Sequence, residues 1–154
     1  MLRNIIIFSD NINHKPDTMN MRYELLEHAA DVMIRCTGRN LEECFENAAY
    51  AMFDQIVDVS RIDDSVERTV RITADDDEER LYSFLSELLF IMDCESLVFD
   101  SFKVTFEGNY VVCKAKGEPL DVKKHHAKAE IKAVTYHMLS VNREEPSVTV
   151  IFDV

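Results

Sequence analysis

Hydrophobic residues repeat at helical spacing in two parts of the chain. After Asn40, apolar positions recur every three or four residues, which is typical of a helix with one buried face. Asn40 followed by Glu43 is a capping-box pattern, and Asp75 with Glu78 predicts a second capped helix. We attribute the acidic run 75–79 to helix capping rather than to a metal cage. The two buried stripes are Leu41, Cys44, Phe45, Ala48, Ala49, Met52, Phe53 and Ile56, then Leu81, Phe84, Leu85, Leu88, Leu89 and Met92.

Alternating apolar residues predict strands around these helices. Gly108 stands between two of the strands and favours a hairpin, which residues 117–119 should end. Because many strands accompany only two helices, we expect an α+β fold in which two amphipathic helices pack on a largely antiparallel β-sheet. The predicted strands span residues 32–36, 66–72, 97–106, 110–115, 131–136 and 148–152.

Residues 1–20 differ from the rest of the chain. They carry no net charge and include a polar string at 10–17, so we assign them no function and expect the domain to span 21–154. The apolar run 5–8 leaves three alternatives open: an extension, a misplaced start, or a loosely attached strand.

Charge narrows the classes of function. The chain has 17 Lys and Arg residues against 29 Asp and Glu residues, a formal net charge of −12. Strong direct binding to nucleic acid needs clustered cations, so a basic macromolecule or a metal cation is the better partner. No apolar stretch is long enough to span a membrane or form a signal peptide core, and the four cysteines are scattered. We therefore expect a cytoplasmic protein with reduced thiols and no membrane partner.

The familiar catalytic motifs of hydrolases, nucleotide-binding loops and zinc proteases are absent from the sequence. Polar clusters at 27–31, 123–132 and 152–154 remain. The carboxylate of Asp153 adjoins the α-carboxylate of Val154, and Asp31 can add a third. Like charges repel unless a cation neutralises them, and oxygen donors favour Ca²⁺, Mg²⁺ or Mn²⁺. The alternative is a frayed C-terminus in water.

Basic and histidine residues in the other clusters have more than one interpretation. His28 can be a metal ligand, a general base, or a residue that fixes a turn by bonding Asp31. The lysines form a positive patch that suits a phosphate or an acidic loop, or else a solvated face. They are Lys123, Lys124, Lys128 and Lys132.

Together these clusters resemble the archease family, and the resemblance runs from Met21 to the last residue. It is carried by five motifs in the same order, with Ala29 where the family more often has Thr. The motifs are residues 23–32, 40–49, 81–89, 130–137 and 152–154.

The resemblance implies a function as well as a fold. Archeases activate the GTP-dependent tRNA-splicing RNA ligase: they promote its guanylylation and multiple turnover, and are not themselves the catalyst. A chaperone role toward a tRNA methyltransferase is the alternative, and a stand-alone metal-dependent enzyme is a third. The family's metal site maps onto Asp31, Asp153 and Val154. The residues implied in ligase activation are His28, Lys124, Glu130 and Lys132, with Lys123 as an alternative to Lys124.

Overall fold

The computed structural model describes residues 5–8, 22–28 and 30–154, the first of these as strand backbone. The polar string 10–17 and Ala29 lie outside the described residues, so the predicted boundary between extension and domain stays a prediction. A short 3₁₀ helix at Val59–Arg61 accompanies the main elements. These are β1 (Ile5–Phe8), β2 (Tyr23–Leu26), β3 (Val32–Thr37), α1 (Leu41–Ile56), β4 (Val66–Thr73), α2 (Asp77–Glu95), β5 (Leu97–Glu107), β6 (Tyr110–Pro119), α3 (Val122–His125), β7 (Ala133–Asn142) and β8 (Ser147–Asp153).

The strands form two antiparallel sheets, which confirms the predicted α+β class. The larger sheet has the order β1-β2-β3-β8-β7 and the smaller one β4-β6-β5. Helix α1 packs against β3 and β5, and α2 packs against β7 and β4. Each helix therefore contacts both sheets, whereas the sequence pattern predicted two helices packed on a single, largely antiparallel sheet. A helix that packs between two sheets is covered on two sides, so it also buries residues outside its main apolar stripe.

Helix α1 shows this burial directly. Its N-terminus begins as predicted, because the Asn40 side chain accepts a hydrogen bond from the Glu43 amide at 2.8 Å. Asn47 and Ala51 lie outside the predicted apolar stripe, yet both are buried. Asn47 satisfies its amide by donating to the Thr37 carbonyl at 2.9 Å.

Helix α2 begins one residue later than the sequence predicted. Asp76, not Asp75, caps it by accepting from the Glu79 amide at 2.8 Å, and Glu79 in turn accepts from the Asp75 amide at 3.2 Å. The Asp75–Glu78 pairing was wrong because Asp76 and Glu79 have the same capping-box spacing. The Asp77 carboxylate pairs with Arg80 and with Arg143 of the β7–β8 turn. The contact with Arg143 joins residues far apart in the chain, which a local pattern does not reveal.

Several strand bounds differ from the predicted ones. Strand β2 was not predicted, β6 continues through Gly117 to Pro119, and β7 runs from Ala133 to Asn142 instead of from 131 to 136. Strand β7 also contains a bulge, since Thr135 lies opposite Ile151 but Ser140 lies opposite Thr149. The bulge spans residues 136–139 and holds Met138 at a φ of 58°, in the left-handed region.

Three of the four cysteines are buried in the protein interior. All four cysteines are free, and Cys94 is the exposed one. Burial raises the pKa of the Cys44 and Cys113 thiols to about 12, so they remain protonated near neutral pH. Within the described ranges, no helix is both long and apolar enough to cross a membrane.

Candidate metal centre

The register of two central strands brings two predicted carboxylates to one end of the larger sheet. In the antiparallel pair β3–β8, Val32 lies opposite Phe152. Continuing this register by one residue sets Asp31 opposite Asp153, and Val154 follows Asp153. Asp31 is half-buried and Asp153 is exposed. The register thus brings these two acidic residues to adjacent positions of the sheet although they are 122 positions apart along the chain.

This pair lacks a positive partner. Neither Asp31 nor Asp153 makes a side-chain ion pair or hydrogen bond with any residue in the described ranges. Like charges directly opposite on adjacent strands destabilise a sheet, so a cation between them would relieve a real repulsion. No group of three or more His, Cys, Asp or Glu side chains that could hold a metal occurs among the described residues. A metal ion here would therefore need further oxygen donors besides the two side chains, and oxygen donors suit a hard divalent ion.

His28 lies in the same β2–β3 connection as Asp31. Its ring forms an edge contact with His137, with 6.2 Å between the ring centroids. The His28 Nδ1 atom is buried and has no hydrogen-bond partner in the described part of the chain. No His28–Asp31 hydrogen bond forms, so the turn-fixing interpretation of His28 was wrong. The sequence reasoning did not select His137, although His137 closes the motif at 130–137.

Glu130 and Lys132 precede the edge strand β7 at this end of the sheet. The Lys132 amide donates to the Asp153 carbonyl at 2.7 Å, and Ala133 lies opposite Asp153. Glu130 is exposed and has no side-chain partner among the described residues. The backbone thus ties Lys132 to the strand that carries Asp153.

Lys124 has a different environment. Its Nζ donates to Asp63 and to Glu118, each at 2.8 Å. Glu118 Oε2 also accepts from the Asp63 amide at 2.9 Å and lies 2.7 Å from His125 Nε2. These donors, the Lys124 ammonium first, lower the pKa of Glu118 to about 2. The Lys124 ammonium is therefore bound within the protein rather than directed to the Asp31–Asp153 pair.

The buried His125 completes this network in its neutral form. Its Nδ1 accepts a hydrogen bond from the Asp121 amide at 2.9 Å, so the proton is on Nε2, which donates to Glu118. Sequence reasoning missed Asp63 and Glu118, because only the folded chain brings them to Lys124. The adjacent His126 is exposed.

The fold has two antiparallel sheets around two helices, with two acidic residues at one sheet end. The sequence model of the Archease protein family (MTH1598/TM1083) matches residues 23–154. Protein archease of Pyrococcus furiosus is 47% identical over 126 residues, covering 79% of this chain and 89% of the relative. Protein archease of Methanosarcina mazei is 40% identical over 127 residues, covering 79% and 87%.

Two solved structures share the fold. The solution structure of protein 1598 of Methanobacterium thermoautotrophicum aligns with a TM-score of 0.75 and 37% identity, covering 86% of this chain and 98% of that one. The crystal structure of an archease, possible chaperone, from Thermotoga maritima aligns with a TM-score of 0.60 and 19% identity, covering 83% and 94%. The second likeness concerns the fold alone. The family match and the identities over most of the chain show that this protein belongs to the archease family.

Proposed function

We propose that this archease activates the GTP-dependent tRNA-splicing RNA ligase by promoting transfer of GMP to the ligase and its multiple turnover. In this role it is a protein cofactor and the ligase is the catalyst. Family membership supports the proposal, and the observation that carries it is the unpartnered pair Asp31–Asp153 at one sheet end. A site that is incomplete without a cation, on a strongly acidic protein, suits a partner that uses metal and nucleotide.

The pair and the α-carboxylate of Val154 would hold one divalent ion, Ca²⁺, Mg²⁺ or Mn²⁺. When bound, such an ion supplies positive charge toward phosphate oxygens. The protein's own groups determine the rest. Asp31 and Asp153 set the position of the site, while His28, Glu130 and Lys132 form its rim for contact with the ligase. Lys124 acts indirectly in this scheme, since it anchors the segment before Glu130 through Glu118.

Activation requires preferential binding to the reactive state of the ligase. The net charge of −12 favours docking beside the basic surface with which a ligase holds RNA. If the archease binds the guanylylation-competent arrangement more tightly than the resting one, the population shifts by that difference in affinity. A difference of about 3 kcal/mol is enough for a shift of more than a hundredfold.

Single-turnover guanylylation of the ligase tests the proposal. We expect Asp31→Asn and Asp153→Asn each to lose at least about tenfold of the stimulation given by the wild type. Glu67→Gln removes the same charge from an exposed position on the smaller sheet and should stimulate normally. Calorimetric titration with Mn²⁺ provides a second measurement, in which the two Asn variants should bind more weakly. Equal stimulation by all four proteins would overturn the proposed role of the pair.

A chaperone role toward a tRNA methyltransferase is the second candidate. Exposed Phe90, Tyr136 and Met138 favour it, because apolar surface is what a chaperone offers to a client. This role predicts that the purified protein suppresses aggregation of the methyltransferase and is captured with it. Stimulation of the ligase without either effect would favour the first candidate. A stand-alone metal-dependent enzyme would instead require activity from the purified archease by itself.

A further inference from the structure

Large apolar side chains are exposed on one flank of the molecule, between α2 and β7. Phe90 of α2 is 59% exposed, and Tyr136 and Met138 of β7 are 55% and 48% exposed. Tyr82 of α2 stacks on Tyr136 with 4.0 Å between the ring centroids, which holds the aromatic surface in one arrangement. Fixed, exposed aromatic groups of this kind are typical of protein-binding surfaces.

A groove of about 210 Å³ lies beside these side chains. One wall comes from α2 and the other from the beginning of β7. Lys132 is at one end of the groove, and its amide hydrogen bond to Asp153 links the groove to the carboxylate pair. The lining residues are Tyr82, Ser86, Leu89, Phe90, Asp93, Lys132, Ala133 and Val134.

The backbone of β7 suits an extended ligand. Strand β7 is the last in the sheet order, so its outer edge has no neighbouring strand within the described ranges. Alternate amides and carbonyls along such an edge can pair with an added strand. The bulge at residues 136–139 interrupts regular pairing, which limits an added strand to a short stretch beside residues 133–135.

The charge around the groove defines the partner further. Helix α2 carries six acidic residues and one basic residue, Arg80. Asp77 is paired with Arg80 and Arg143, and Glu95 is paired with Arg68. The four other acids of α2 make no ion pair within the described ranges, and they outnumber Lys132, the basic residue that lines the groove. Burial first, and then the negative charges of Glu79 and Asp76, raise the pKa of the Tyr136 hydroxyl. Asp93 lines the groove. An acidic flank of this kind attracts a basic segment.

We propose that this groove, the α2–β7 groove, binds an extended basic segment of the ligase, with an apolar side chain seated against Phe90 and Tyr82. The identity of the partner rests on the proposed function, whereas the chemistry of the segment comes from the groove. Docking there would hold the adjoining Asp31–Asp153 end against the same partner, because two contacts on one body reinforce each other. In this arrangement the groove determines the affinity for the ligase, and the carboxylate pair determines the maximal rate of guanylylation.

Titrating the guanylylation rate against archease concentration separates these two quantities. We expect Phe90→Lys to raise the half-saturating concentration at least about tenfold, with the maximal rate at saturation within about twofold of wild type. Tyr110→Lys is the matched control, since Tyr110 is also an exposed aromatic residue but lies on the smaller sheet, and it should change neither quantity. Phe90→Glu should weaken binding less than Phe90→Lys, because the segment is basic. Melting temperatures close to that of wild type will show that the exposed substitutions leave the fold intact.

Every other outcome contradicts either the groove proposal or the proposed function. If the wild type stimulates the ligase and Phe90→Lys does so at the same half-saturating concentration, the groove proposal is overturned while the proposed function stands. If Phe90→Glu is the weaker binder, the segment is not basic and the proposal is also overturned. If Phe90→Lys changes the sedimentation of the free protein from dimer to monomer, a second copy covers the groove instead. A wild type that neither binds nor stimulates the ligase overturns the proposed function, and with it the ligase as occupant.

Discussion

At the scale of single residues, the Glu118 carboxylate is the centre of the hydrogen-bonded network around Lys124. One of its oxygens receives hydrogen bonds from the Lys124 ammonium, the Asp63 amide and His125. The Glu118 side chain is largely buried, so it is not simply solvated when these partners are lost. This residue joins β6, α3 and the loop before β4. It is therefore a positioning residue for the segment that leads to Glu130 and Lys132.

We expect Glu118→Gln to lower the free energy of unfolding at pH 7 by about 1–3 kcal/mol, the usual range for losing a charged hydrogen-bond acceptor. The pKa of Glu118 is lowered from its ordinary 4.5 to about 2 in the folded state. Its contribution is therefore fully present above pH 4.5 and is lost as the pH falls toward 2. Urea denaturation at several pH values should show the difference from wild type shrinking below pH 4.5.

The exposed Glu67→Gln variant is the control for this series, and it should differ from wild type by less than about 0.5 kcal/mol at every pH tested. A Glu118→Gln difference that stays constant down to pH 3 would show that shape, and not charge, explains the effect.

At the scale of elements, the hairpin β5–β6 contains two glycines with different roles. Gly108 in the turn has a φ of +62°, and a Cβ there would meet open space. Gly117 lies inside β6, where a Cβ would come within 1.8 Å of the Val98 carbonyl oxygen and 2.7 Å of the Phe99 Cα. The close approach occurs beside the irregularity in β5 at residues 99–101. Gly117 therefore lets two backbones pack closely and does not end the strand.

This distinction predicts different costs for the same substitution. Gly108→Ala should lower the free energy of unfolding by about 1 kcal/mol, because only the left-handed conformation is penalised. Gly117→Ala should cost at least about 3 kcal/mol, or prevent folding, because fixed backbone atoms occupy the space of the new methyl group. Denaturant unfolding of the two variants provides the comparison. Equal costs would contradict the backbone contact at Gly117.

At the scale of the whole molecule, the two helices hold the sheets together and the larger sheet brings distant segments side by side. Strand β8 is inserted between β3 and β7, so residues near 31, 132 and 153 reach the same end. The proposed cation site and the α2–β7 groove share this end through Lys132. Lys132 thus links the two proposed sites at one end of the larger sheet.

Extending the chain beyond Val154 tests the whole-molecule arrangement. A Gly-Ser dipeptide added there moves the α-carboxylate away from the Asp31–Asp153 pair, and we expect the Kd for Mn²⁺ to rise at least about tenfold, as for a lost ligand. The same dipeptide at the N-terminus is the control and should leave the Kd unchanged. Isothermal titration calorimetry measures both. An unchanged Kd for the C-terminal extension would remove Val154 from the ligand set.

The sequence by itself determined the features that depend on local spacing. Periodicity of 3.6 identified α1 and α2, and Asn40 marked the start of α1 correctly. Alternation located most strands, and the position of Gly108 identified the hairpin. The excess of acidic residues predicted a basic partner or a metal cation, and this stays a prediction. Family motifs added candidate residues that spacing alone left open. These features were accessible because each arises from residues within a few positions of one another.

Only the tertiary structure decided how those pieces combine. Two sheets rather than one enclose the helices, which is why α1 is buried beyond its apolar stripe. The choice of Asp76 over Asp75 accompanies a contact with Arg143, 66 residues beyond Asp77. Lys124 pairs with Glu118 and Asp63, and the register of β3 and β8 sets Asp31 opposite Asp153. Pairings of this kind depend on strand register and on how the layers pack. Neither is encoded in the spacing of neighbouring side chains.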